Sequence, residues 1–115
     1  MKTKSTILIL TLLMFSMTSV FAGVSKTEKI KVYGNCGMCK TRIEKAANSV
    51  KGVTKAAWDS EDAMLTVTYD DTKTTTLKIE EAVSKVGHDT DHTKTDAKTY
   101  DALPGCCQYD RPAKK

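Results

Sequence analysis

The chain has 115 residues, and its 18 Lys and Arg against 14 Asp and Glu give a formal charge of +4, spread without a run of like charge that would suit nucleic acid. That length leaves room for one hydrophobic core and for no large internal cavity. There is also no grouping of serine, histidine and aspartate, no phosphate-cradling glycine loop and no carboxylate pair placed for acid and base work, so the chain reads as a non-enzyme.

The first segment reads as an address. Lys2 and Lys4 precede an apolar run from Ile7 to Val20, which Thr11, Ser16, Thr18 and Ser19 interrupt. The run is shorter than the roughly 20 residues of a membrane span, and Val20 and Ala22 suit a small-residue cleavage site. A signal peptide over residues 1–22 is expected, with a soluble periplasmic or secreted product starting at Gly23.

From Glu28 to Tyr33, Ile30 and Val32 alternate with Lys29 and Lys31, the period of a half-buried strand. The strand runs into Gly34-Asn35-Cys36-Gly37-Met38-Cys39. Beyond that loop, Ile43, Ala46, Ala47 and Val50 form one apolar stripe on a helix that Gly52 ends. Val53 to Trp58 and Met64 to Tyr69 read as a hairpin turning at Asp59-Ser60-Glu61-Asp62, with Trp58, Leu65 and Tyr69 as sheet packing. Thr75 or Thr76 caps a second helix whose stripe is Ile79, Ala82, Val83 and Val86, and Gly87 stops it. The order strand, helix, strand, strand, helix is five-sixths of a split βαβ sandwich, an α+β fold. A sixth element is due after Gly87, yet His88 to Thr95 has no aliphatic alternation, so the last strand is expected to be degenerate. Asp96 to Leu103 reads as a short helix capped by Thr95, and Pro104-Gly105 turns the chain into Cys106 and Cys107.

Two cysteines separated by two residues can aim both sulfurs at one atom, and thiolates are the soft ligands that Cu(I), Zn(II) and Hg(II) prefer. Cys36 and Cys39 sit at a helix start, where unpaired N–H groups and the helix dipole favour thiolate over thiol, with Lys40 and Arg42 nearby. A thioredoxin-like reading lacks its facing proline, since Pro104 and Pro112 both lie in the tail. Cys106 and Cys107 are adjacent, and in an extended chain their side chains point apart, which strains a mutual disulfide. The tail either folds back so that these sulfurs join Cys36 and Cys39 as metal ligands, or it is stapled by a disulfide.

A CxxC motif on the first loop of this element order resembles the heavy-metal-associated domain, over about Glu28 to Asp89. Gly52-Val53 and Val67-Thr68-Tyr69-Asp70 match the family pattern, and Gly87-His88 stands where it has Gly followed by an aromatic residue. The family methionine two residues before the first cysteine is replaced by Gly34, and the methionine here is Met38. The resemblance implies a ferredoxin-like βαββαβ domain over residues 23–92 with an extension over 93–115. It also implies metal handling without catalysis, Cys36 and Cys39 as ligands, and Cu(I) as the ion ahead of Hg(II) or Zn(II). Transfer would proceed by ligand exchange with a metal-transporting membrane protein or another metal-binding domain. In that fold the loop carrying His88 faces the cysteine loop, so His88 is a candidate third ligand or hydrogen-bond donor to sulfur, while His92 reads as a surface residue. The competing reading keeps the fold as a disulfide-stabilised interaction module without metal.

Overall fold

The alternation of lysine with apolar residues produces the first strand, β1 (Ser25–Lys31), at the start of residues 25–112, which the computed structural model describes. The expected signal peptide lies outside these residues. Helix α1 (Gly37–Asn48), strands β2 (Val53–Asp59) and β3 (Met64–Asp70), helix α2 (Thr76–Lys85), a short α3 (Ala97–Asp101) and a 3-10 turn at Gly105–Cys107 follow. The sheet order is β1-β3-β2, with β3 antiparallel to both neighbours. This is the α+β, ferredoxin-like arrangement expected from the pattern, with the second half of the hairpin inserted between the two outer strands.

Period-2 patterning decides which face is covered. Along β3, Leu65, Val67 and Tyr69 are buried while their neighbours are half-exposed, and Trp58 of β2 and Ile30 of β1 join them. Against these pack Ile43, Ala46 and Ala47 of α1 and Ile79 and Val83 of α2, in one core. Each fully buried valine, leucine or isoleucine among them contributes on the order of 1.5–3 kcal/mol. Thr75 caps α2, its Oγ1 accepting the Lys78 N–H at 3.3 Å. Gly87 ends the helix region at φ +114°, and a Cβ there would lie 2.7 Å from a Leu103 methyl, so the tail packs where a side chain would stand.

The sixth element survives as a single bridge, Val32 to Thr90. Residues 88–95 are polar because what they cover is polar. Thr90 Oγ1 donates to Glu80 Oε1 at 2.7 Å, and the Ser84 and Thr93 hydroxyls share a 2.6 Å hydrogen bond. Glu80 and Ser84 are therefore buried on α2 beside Ile79 and Val83, whereas Ala82 and Val86 of the expected stripe are only partly covered. Helix α3 begins one residue later than expected. Asp96, not Thr95, caps it, accepting the Thr99 N–H at 2.8 Å.

Thr95 instead donates its N–H to Asp89 Oδ1 at 2.9 Å, within a clasp that ties the tail to the domain. The fully buried Asp89 carboxylate accepts from Arg111 Nε at 2.8 Å and Arg111 Nη2 at 2.9 Å. The buried Tyr109 hydroxyl accepts the Asp89 N–H at 2.8 Å and lies 3.1 Å from Asp89 Oδ2. The Tyr109 ring stacks on His88 and meets Tyr100 edge-on, and the Arg111 guanidinium lies over the Tyr100 ring. Burial alone would push the Asp89 carboxyl up, but the Arg111 guanidinium, the Thr95 N–H and the Tyr109 hydroxyl together hold it below its ordinary value.

Removing Arg111 strands a buried charge. Arg111→Ala is expected to lower unfolding free energy by about 2–3 kcal/mol, below the full value for a buried pair because the arginine is partly exposed. The wild type should keep the Asp89 contribution above about pH 4, the unfolded carboxylate value, and lose it as pH falls through the lower folded value. In Arg111→Ala the guanidinium no longer holds the folded carboxyl down, so less stability should be lost as pH falls below about 4. Urea unfolding of both proteins between pH 3 and pH 7 measures each effect.

Candidate metal centre

The loop after β1 is shaped by what lies beneath it. The buried Trp58 donates its indole N–H to the Val32 carbonyl at 3.0 Å, and its ring lies so close to Gly34 that a Cβ there would be 3.2 Å from the ring and from Cys39 Cβ. Glycine at the family's methionine position thus goes with a tryptophan packed against the loop. Met38 is 53% exposed on the first turn of α1, and its Sδ is 3.7 Å from Cys106 Sγ.

Cys36 is the N-cap of α1, with extended backbone, and Cys39 follows in the first turn. Their sulfurs are 3.5 Å apart. The Cys39 N–H, together with the Cys106 thiol, stabilises the Cys36 thiolate and brings its pKa down to about 6. Cys39 is fully buried, and desolvation pushes it up to about 11. One sulfur of the motif is therefore a ready thiolate and the other holds its proton.

The tail reaches the same place. Pro104 leads into the 3-10 turn, where the Cys107 N–H donates to the Pro104 carbonyl at 2.8 Å. In this tight turn, unlike the extended chain assumed from adjacency, both sulfurs converge. Cys106 Sγ is 3.3 Å and Cys107 Sγ 3.6 Å from Cys36 Sγ, and the two are 4.0 Å from each other. Cys107 is buried and Cys106 exposed, and all four cysteines are free. Proximity to the Cys36 sulfur pushes the Cys106 thiol up. Among the described residues, the grouping of three such donors with ligand atoms within 4.8 Å of one another is Cys36, Cys106 and Cys107.

Of the two cations read as neighbours of the motif, only Arg42 touches a sulfur, its Nη1 lying 3.2 Å from Cys107 Sγ. Lys40 is turned to Glu44 Oε2 at 2.5 Å and to the Trp58 carbonyl at 3.0 Å. His88 is not engaged with sulfur. Its Nδ1 meets the Tyr33 carbonyl at 2.8 Å, which requires a proton on that nitrogen, and its buried Nε2 has no partner among the described residues. Desolvation holds its pKa below the usual value, so the ring is the neutral Nδ1–H tautomer under the Tyr109 ring. His92 is largely exposed and pairs with Glu80. Sequence reasoning missed the Arg42 to Cys107 contact and the Asp89 clasp, whose partners lie too far apart in sequence to form a local pattern.

The heavy-metal-associated domain family matches residues 35–89, a span that ends at Asp89 and leaves out the tail cysteines. Over 55 residues the chain is 36% identical to the copper chaperone CopZ of Staphylococcus aureus strain bovine RF122 / ET3-1, covering 48% of this chain and 81% of that one. The crystal structure of oxidized MerP from Ralstonia metallidurans CH34 superposes with a TM-score of 0.56 at 31% identity, covering 58% of this chain and 94% of that one. The Cu(I)-loaded N-terminal domain of a potential copper-translocating P-type ATPase from Bacillus subtilis superposes at 0.55 with 28% identity, covering 58% and 85%. The chain therefore belongs to the heavy-metal-associated domain family, a domain that handles metal without catalysis.

Proposed function

We propose that this chain is an exported carrier of a soft metal ion, Cu(I) in the first instance, which it binds through Cys36 and Cys39 and passes on by ligand exchange. The observation that carries this reading is the pair of sulfurs 3.5 Å apart at the start of α1, where the Cys39 N–H and the Cys106 thiol favour the Cys36 thiolate. Two thiolates on a monovalent ion leave one net negative charge, which the helix dipole and the Arg42 guanidinium offset. Cys36 is partly exposed at the rim, so an incoming thiolate can reach the ion before Cys39 lets go. The likeness to a Cu(I)-loaded ATPase domain supports a metal-binding domain of that kind as the exchange partner. The likeness to MerP supports Hg(II) as a second cargo. In this reading residues 1–22 are removed on export, residues 23–92 form the carrier domain and residues 93–115 form its extension.

Cu(I) titration of the reduced protein against a competing chelator is expected to show tight binding that Cys36→Ser with Cys39→Ser weakens by about 100-fold or more, about 2.7 kcal/mol. An absence of tight binding in the wild type would remove copper as cargo. Iodoacetamide should label Cys36 first, at a rate that rises with pH through about 6 as the thiolate forms, and Cys39 far more slowly. One equivalent of Cu(I) added beforehand should protect Cys36, and peptide mass analysis after timed quenching reads both outcomes.

A further inference from the structure

We propose that the C-terminal tail completes a three-sulfur soft-metal site, made by Cys36, Cys106 and Cys107, that holds the ion without needing Cys39. This rests on the carrier reading above and changes which sulfurs retain the cargo. The separations of 3.3, 3.6 and 4.0 Å define a triangle whose equidistant point is about 2.1 Å from each sulfur, close to the roughly 2.3 Å of a metal–thiolate bond. An ion can sit at or just above that plane with little movement of the chain.

The CxxC pair alone does not offer linear coordination as it stands. Sulfurs 3.5 Å apart subtend about 100° at an ion roughly 2.3 Å from each, which leaves one side of the ion open to a third ligand. The tail sets Cys106 and Cys107 beside the shared Cys36, at 3.3 and 3.6 Å from its sulfur. The placement is prepared before metal arrives, because the Asp89 clasp with Tyr109 and Arg111 and the turn at Gly105–Cys107 already order the tail. Arg42 on the Cys107 sulfur offsets part of the extra negative charge of a third thiolate. Cys106 and Met38 stand exposed at the rim, where a partner thiolate must enter to displace the tail. The tail therefore biases the protein toward holding its ion until a partner opens the site.

Copper K-edge X-ray absorption and chelator competition on the full mature chain, loaded with one equivalent of Cu(I), test the proposal. The wild type and Cys39→Ala should both show three sulfurs, with affinities within about tenfold of each other. Cys106→Ser with Cys107→Ser should show two sulfurs and bind at least about tenfold more weakly, and Cys36→Ser should lose the most. Cys39→Ser serves as a second variant in case the smaller alanine unsettles the buried position, and circular dichroism checks the fold of each. Two-sulfur coordination in the wild type, or a loss in both Cys39 variants as large as that in Cys36→Ser, would overturn the three-sulfur site and leave the carrier reading standing. Absence of tight Cu(I) binding by the wild type would overturn both.

Discussion

Asp89 is a carboxylate with no solvent contact, set where a fourth strand would normally run, and a charge in such a place persists only if it is paired. Arg111 pairs with it through two nitrogens, and the Tyr109 hydroxyl and the Thr95 N–H complete its shell. Three of these four contacts come from side chains in the last few described residues. Satisfying this buried charge thus anchors the end of the tail, which also carries Cys106 and Cys107. The Asp89–Arg111 pair and the sulfurs beside Cys36 thus share one segment of chain.

The metal loop itself follows a different logic. Gly34 and Trp58 are complementary, since a Cβ at position 34 would crowd the ring at 3.2 Å. Cys36 caps α1 and draws on the Cys39 N–H, whereas Cys39 is sunk in the core and holds its proton. A soft ion arriving at this loop meets one thiolate first and must displace a proton to gain the second. That asymmetry makes Cys36 the common point of the motif and the tail, consistent with its short distances to all three other sulfurs.

Periodicity made much of the fold legible. Ile43, Ala46 and Ala47 announce one helix face, and Leu65, Val67 and Tyr69 one strand face, because burial there is apolar and regular. The polar segment after Gly87 was legible only as a departure. Thr90 and Thr93 are ordered by Glu80 and Ser84 across a helix, and buried hydrogen bonds of that kind leave no period in the sequence. At the site, the spacing of Cys36 and Cys39 was readable, and so was the idea of a tail folded back. The convergence of Cys106 and Cys107 depends on a 3-10 turn that adjacency does not reveal, and the pairing of Asp89 with Arg111 spans 22 residues without a local signal. His88 drew attention by its place after α2, yet its Nδ1 serves the Tyr33 carbonyl and its ring supports Tyr109.

In the reduced, metal-free protein the tail lies on the domain. Nuclear Overhauser contacts measured on that protein test it most directly. Cross-peaks are expected between the Tyr109 ring and the rings of His88 and Tyr100, together with slow exchange of the Asp89 amide that donates to the Tyr109 hydroxyl. Random-coil shifts for residues 104–111, with no contacts from Tyr109 to His88, would contradict it.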